Sequence, residues 1–439
     1  MSNPAKPNYT RSFIVVTSLF FMWGFITVLV DSLIPRLREI FELSYFQAGL
    51  VQFAFFMAYG VLSIPSGFIL ARIGYKKGML LGLATMGIGC LLFWPAAQLR
   101  IFEIFMLGYF VLAGGMTILQ VAANPYVSVL GDERTASSRL NLSQAFNSVG
   151  TTLAPVAGAM FILSDNIYSG AEISALSEAE KLSYYASEAA AVQGPFVVLA
   201  LSLLALAALV AMVKLPKVLD TEHAGSYREA LKNKRLLMGA LGIFVYVGAE
   251  VAIGSYLVNY FLELNMVQAI INSSFLSNIS MSLLNTNDLN TIDAKAIVGA
   301  FVMFYWGGAM VGRFIGAYLT TVLSPGKVLG GFAAGAVLMI LISMSTVGLT
   351  AMISILAVGL FNSIMFPTIF TIAIEDLGHL KPQGSGILCM AIVGGAFIPP
   401  LYGYFTDLAG FKMAFVLLLL CYGYILFFGL SDKKTTVAS

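Results

Sequence analysis

Apolar residues along this chain fall into blocks long enough to cross a bilayer as helices, which takes about 20 residues for a ~30 Å hydrocarbon core. Short polar breaks separate the blocks. They predict twelve helices, over 12–34, 46–71, 78–98, 102–130, 139–163, 193–213, 236–262, 294–321, 328–347, 350–374, 385–405 and 412–430. An even number of crossings returns the chain to its starting side. The first block is longer than the apolar segment of a signal peptide and no cleavage site follows it, so it is expected to remain as a helix.

Composition agrees with a polytopic helical membrane protein: 59% of the 439 residues are hydrophobic and only 10% charged, with a mean hydropathy of +0.88. The net charge of +2 points to no nucleic acid or acidic partner. What informs is where the cations fall between spans. Placing the N-terminus inside puts 17 of the 24 Lys and Arg in cytoplasmic segments and 6 in outer ones, with Arg313 inside a span. Both termini are therefore expected in the cytoplasm. Cys90, Cys389 and Cys421 lie in apolar runs and read as packing residues; His223 and His379 fall in loops. The outer loops 164–192 and 263–293 are acidic and read as solvated faces or short surface helices.

A polar, basic stretch from Lys214 to Arg235 divides the chain into 1–213 and 236–439, each with six predicted spans. The halves repeat weakly. Tyr59-Gly60 through Gly67 to Lys76-Lys77 parallels Trp306-Gly307 through Gly316 to Lys327, and Gly150 with Pro155 parallels Gly394 with Pro399. The loop Gly67-Phe68-Ile69-Leu70-Ala71-Arg72-Ile73-Gly74-Tyr75-Lys76-Lys77 resembles the G-x-L-A-D-R-x-G-R-K-x signature of the major facilitator superfamily. That resemblance implies two parallel six-helix bundles with a substrate site near the midplane, and gating roles for Arg72 and Lys76. Ala71 stands where the signature has Asp, which puts the usual charge pair of the gate in doubt.

Polar residues inside the spans decide what such a bundle could do. A carboxylate at that depth is costly and reads first as functional, and there are two, Asp31 and Glu250. Trp23, Thr27 and Asp31 recur every four residues and share a helix face; Gln52, Tyr59 and Ser63 share another. Gln120 and Asn124 precede Pro125, which cannot donate to the carbonyl of Val121. An exposed carbonyl in a membrane needs a polar neighbour or a cavity. Asn141, Gln144 and Asn147 line span five, Tyr246 and Tyr260 flank Glu250, and Asn362 lies in span ten. Amides and aromatic rings at mid-depth suit a neutral polyol, whose hydroxyls need donors and acceptors and whose C–H faces need flat apolar surface. The alternative is that the amides only tie helix to helix, typically about 1 kcal/mol each. An enzyme is not expected, since no intramembrane His and no Cys/His cluster is present.

Phe21-Met22-Trp23-Gly24 leading to Asp31, Phe46-Gln47-Ala48-Gly49-Leu50, Phe93-Trp94-Pro95-Ala96-Ala97, Ala122-Ala123-Asn124-Pro125, Arg139-Leu140-Asn141-Leu142, Phe146-Asn147-Ser148 and Pro367-Thr368-Ile369-Phe370 resemble the fucose:proton symporter family. Gln120 and Glu250 resemble its glucose/galactose transporter branch. The resemblance implies that Asp31 serves cation coupling and that Asn147 contacts sugar, whereas the glutamate of span four in the relatives is here Gln120, which takes up no proton. Coupling then rests on Asp31 alone or with Glu250. The ion is sodium or a proton; Thr27 and Ser32 offer oxygens to a sodium at Asp31. The expected sugar contacts are Trp23, Gln52, Gln120, Asn124, Gln144, Asn147, Tyr246 and Asn362. Arg313 is read as a gate or helix-end contact, and a structural pairing of Asp31 or Glu250 with it stays open.

The expectation is a monomeric hexose transporter of the bacterial inner membrane, importing glucose or galactose by cation symport without an organic cofactor. An L-fucose-type symporter or an uncoupled sugar uniporter is the alternative.

Overall fold

The computed structural model describes residues 9–31, 45–99, 101–161, 175–218 and 225–432, and every regular element among them is a helix. In chain order these are α1 (Thr10–Asp31), α2 (Tyr45–Ile73), α3 (Tyr75–Leu99), α4 (Phe102–Val129), α5 (Ala136–Phe161), α6 (Glu178–Met212), α7 (Tyr227–Ala230), α8 (Lys234–Glu263), α9 (Met266–Asn272), α10 (Ser274–Leu284), α11 (Ala294–Gly299), α12 (Val302–Val322), α13 (Pro325–Ser345), α14 (Gly348–Asn362), α15 (Met365–Ile374), α16 (Lys381–Met390) and α17 (Gly394–Ser431).

Nine helical stretches among the described residues are long and apolar enough to cross a membrane. Two of them run 47 and 54 residues, at 1.5 Å per residue more than twice the hydrocarbon thickness, so each holds two spans. The breaks fall at glycines in conformations that other residues resist: Gly74 between α2 and α3 (φ 80°), and Gly410 inside α17 (φ 78°, ψ 169°). The polar first half of α5 keeps it out of that set of nine; it is the remaining span of an all-α, twelve-helix membrane protein.

Most boundaries agree with the hydropathy blocks within a few residues. The exception is α6, expected from 193 but starting at Glu178. Its first turns are polar and invisible to hydropathy, and a capping box starts it: Ser177 accepts from the Glu180 N–H while Glu180 accepts from the Ser177 N–H. The two hydrogen bonds from Ser177 hold the exposed Glu180 carboxyl below the usual carboxylate range. The stretch 263–293, expected on the outer side, contains α9 and α10, each bounded by an asparagine in the left-handed region, Asn265 (φ 55°) and Asn285 (φ 49°). Span ten is split into α14 and α15 beside Pro367.

By packing, the chain forms two compact units: 1–136 with 146–233 and 374–390, and 137–145 with 234–373 and 391–439. In the first, α3 packs against α4 and α6, and α16 packs against α2 and α4. Phe93 stacks on Phe196 at 4.0 Å between centroids. A Cβ on Gly89 would lie 2.5 Å from the Leu112 nitrogen, so the approach of α3 to α4 requires a residue without one. In the second unit, α8 and α13 pack against α17 and α12 against α14, with Tyr260 edge-on to Phe415 at 5.0 Å. Val198, Leu201, Leu209 and Leu420 point outward, as a lipid-facing surface requires.

Candidate functional site

Proline sets the chemistry of two helices. In α4, Pro125 has no N–H for the carbonyl of Val121. That carbonyl accepts instead from the Ser385 hydroxyl of α16 at 2.8 Å. In the α14–α15 segment, Pro367 likewise frees the carbonyl of Ser363, and Arg313 Nε donates to it at 3.2 Å. Arg313 Nη1 also donates to the Gln144 carbonyl of α5 at 3.3 Å. One guanidinium thus bridges the backbones of two helices, a geometry suited to its planar fork.

Beside the first proline, in unit 1, Gln120 donates to the Tyr59 hydroxyl. Asn124, fully buried, lies beside the Cys389 thiol with neither amide atom in a well-formed hydrogen bond, and Ser63 Oγ has no hydrogen-bond partner. Trp23 is half-buried, 5.7 Å from Phe20 between ring centroids. Thr27 donates to the Trp23 carbonyl at 2.8 Å and touches the Met116 sulfur at 3.0 Å. Asn147 Nδ2 donates to the Phe20 carbonyl at 2.8 Å, tying α5 to α1. Asp31 ends α1; its side chain and that of Gln52 lie outside the described residues, as does Ser32.

Unit 2 gathers a denser polar set around Glu250 of α8. Arg313 and Tyr246 face the carboxylate, and Tyr305 donates to the Glu250 backbone carbonyl at 3.2 Å. Asn362 Nδ2 donates to the Tyr305 hydroxyl at 2.6 Å, and Tyr422 of α17 lies against Asn362. Four atoms of this set are buried without a well-formed hydrogen bond, Glu250 Oε1, Tyr246 OH, Asn362 Oδ1 and Tyr422 OH, although Tyr246 faces Glu250 and Tyr422 faces Asn362. Each such atom is expensive in a dry interior, about 1–3 kcal/mol, so four together mark a place equipped for a polar ligand or ordered water. The Glu250 carboxylate and Asn362 carbonyl oxygen accept, and the phenols donate or accept.

Tyr305 and Tyr422 belong to this set although sequence reasoning did not single them out. A tyrosine in an apolar block reads as packing; only its position beside Glu250 distinguishes it. Among the described residues, no three His, Cys, Asp or Glu side chains gather as a metal site. The oxygens around Glu250 and the Thr27 hydroxyl are of the kind that a hard cation takes.

A family model described as Major Facilitator Superfamily matches residues 12–388. The chain belongs to the Major Facilitator Superfamily. It is similar to the glucose/galactose transporter of Brucella abortus biovar 1 (strain 9-941), 46% identical over 434 residues, 98% of this chain and 96% of that protein. The L-fucose-proton symporter of Escherichia coli (strain K12) is 33% identical over 442 residues, 98% of this chain and 94% of that one. A crystal structure of a Major Facilitator Superfamily transporter, FucP, in the outward conformation matches with a TM-score of 0.86 and 32% identity, over 97% of this chain and 100% of that one. As a member of a superfamily of transporters, the chain is a multi-pass membrane transporter and not an enzyme.

In this member the cations of the superfamily's loop signature have local partners. Lys76 Nζ donates to the carbonyls of Ala211 and Val213 at 2.7 and 2.9 Å, capping the C-terminus of α6. The Arg72 guanidinium lies over the Phe68 ring at 4.1 Å. Ala71, at the signature's aspartate position, is buried at 4% exposure and offers no charge to either.

Proposed function

We propose that this transporter imports a hexose of the glucose/galactose type by cation symport, through alternating access of two six-helix bundles, 1–213 and 236–439, joined by the linker 214–235. The observation that carries this reading is the set of four buried polar atoms without well-formed hydrogen bonds on Glu250, Tyr246, Asn362 and Tyr422. A pyranose supplies what they lack, hydroxyls that donate to the carboxylate and amide oxygens and accept from the phenols. Full-length similarity to a protein named glucose/galactose transporter supports the substrate class. Trp23, Gln52, Gln120, Asn124, Gln144 and Asn147 complete the proposed sugar contacts, with Arg72, Lys76 and Arg313 in gating or helix-end roles.

Cation coupling is assigned to Asp31 and Glu250, with sodium or a proton as the ion and Thr27 as an accessory oxygen for sodium. A relative named L-fucose-proton symporter favours a proton as the second reading and brings an L-fucose-type substrate with it; an uncoupled uniporter is the third. In this reading the protein works as a monomer in the bacterial inner membrane, and the 17-to-6 cation asymmetry supports cytoplasmic termini.

The test is uptake of labelled glucose, galactose and L-fucose into proteoliposomes under an imposed sodium or proton gradient, for wild type, Asp31→Asn and Glu250→Gln. Accumulation of a hexose under one gradient, lost in either variant, is expected. Equilibration without accumulation under both gradients identifies a uniporter, and uptake of L-fucose alone overturns the hexose assignment.

A further inference from the structure

Among the described residues of the linker between the sequence halves is one short helical turn, α7, and its first residue is only partly exposed. Tyr227 is half-buried and donates its hydroxyl to the Ile64 carbonyl of α2 at 2.6 Å. Burial pushes the phenol up from its ordinary value, so it stays a neutral donor. The hydroxyl occupies the narrow seam between α2 and α16. A Cβ on Gly386 of α16 would lie 2.5 Å from it and 2.9 Å from the Ser63 carbonyl. On the α2 side a Cβ on Gly67 would collide with the same hydroxyl and lie 2.8 Å from the Pro382 carbonyl. Only two facing glycines leave room for the phenol between backbones this close.

Two further bonds fasten α16 at the same end. Gln383 Nε2 donates to the Gly225 carbonyl of the linker at 2.7 Å, and Ser385 donates to the Val121 carbonyl of α4. All of these residues lie within one compact unit, although α2 and α4 come from the first half of the sequence and α16 from the second. Separating the halves at this end therefore means parting α16 from α2, with the linker tyrosine between them and the linker backbone bonded to α16.

We infer that Tyr227 is a latch: the linker helix pins the α2–α16 seam shut through the Tyr227 hydroxyl, and this contact must release before the end of the protein that carries the linker can open. This rests on the alternating-access reading above. It gives the linker a defined part in the cycle, and it sets the population of the closed seam without touching the site around Glu250.

The natural cysteines provide the test. Cys389, on α16 among Ser385, Asn124 and Tyr59, is fully buried, and so are Cys90 and Cys421 elsewhere in the fold. The rate of N-ethylmaleimide modification of each is read by peptide mass spectrometry on the full-length protein in proteoliposomes, for wild type, Tyr227→Phe and Tyr227→Ala. The expected result is modification of Cys389 about five-fold faster in Tyr227→Phe, the Boltzmann equivalent of one neutral hydrogen bond, and faster still in Tyr227→Ala, with Cys90 and Cys421 unchanged. An unchanged Cys389 rate in both variants overturns the latch. A parallel rise at all three cysteines also overturns it, because Tyr227 would then be holding the fold rather than the seam. The readout needs no sugar, so a selective Cys389 response supports the latch even where the substrate assignment fails.

Discussion

The Ser385 hydroxyl of α16 donates to the Val121 carbonyl of α4 at 2.8 Å, and Val121 is the residue whose helical partner would have been the nitrogen of Pro125. A defect that proline makes in one helix is repaired by a side chain 264 residues away. The repair fixes where α16 docks. It also means that the two substitutions interact.

Ser385→Ala is expected to lower the stability of the protein in detergent by about 1–2 kcal/mol, since it leaves a buried carbonyl unpaired. In a Pro125→Ala background the backbone N–H restored at position 125 reclaims that carbonyl, so Ser385→Ala should then cost less, by about 0.5–1 kcal/mol. Thermal unfolding of the four members of the cycle measures the difference. Additive effects would contradict the pairing.

Arg313 repeats this logic in unit 2, where it takes the carbonyl freed by Pro367. Arg313→Met strands the Ser363 carbonyl, removes the second donor from the Gln144 carbonyl and removes a cation facing Glu250; a loss of about 2–3 kcal/mol is expected. Arg313→Lys should recover only part of it, because an ammonium on a flexible stem does not reproduce the bridging fork. Equal unfolding midpoints for Arg313→Lys and wild type would show that charge alone suffices.

Two tyrosines in the Glu250 set are expected to part company when their hydroxyls are removed. Tyr305 bonds the Glu250 carbonyl and Asn362, so Tyr305→Phe should cost about 1–2 kcal/mol of stability. The Tyr422 hydroxyl is buried beside Asn362 without a well-formed hydrogen bond, so Tyr422→Phe should leave stability at the wild-type value or raise it by up to about 1–3 kcal/mol, the cost of burying that group. If the hydroxyl meets substrate, the same variant should raise KM for sugar about 5–20-fold, the worth of one hydrogen bond to a polar ligand. Unfolding curves and uptake kinetics on the two variants separate these roles.

Lys76 caps α6 through two carbonyls. Lys76→Met should cost about 0.5–1 kcal/mol, the usual scale for a cation at a helix C-terminus, while KM for sugar stays at the wild-type value. A large change in KM with no change in unfolding would move Lys76 from helix capping to gating.

Much of the fold was legible because hydropathy reports what a bilayer demands of each span, and block ends and helix ends agree at α2, α4, α8 and α13 within a few residues. The first fifteen residues of α6 were not, because they are polar and owe their helicity to the Ser177–Glu180 capping box. The sequence also showed that Val121 needs a polar neighbour, since proline chemistry is local. It could not show that Ser385 supplies one, since that depends on how α16 packs. Glu250, Tyr246 and Asn362 stood out as polar groups in apolar blocks and do come together. Tyr305 and Tyr422 complete the same set and carried no signal that separates them from core aromatics. Asn147, expected at the sugar, has its amide nitrogen on the Phe20 carbonyl, a use of amides between helices that spacing alone does not distinguish from substrate contact.

Whether the polar set around Glu250 receives the sugar is tested by counterflow of labelled galactose in proteoliposomes, without any ion gradient, for wild type, Glu250→Gln and Tyr422→Phe. Counterflow by the wild type, with half-saturation raised at least about five-fold in both variants and an unfolding midpoint no lower than wild type in Tyr422→Phe, is the expected result. Half-saturation equal to wild type in both variants would contradict the claim and move the sugar away from Glu250.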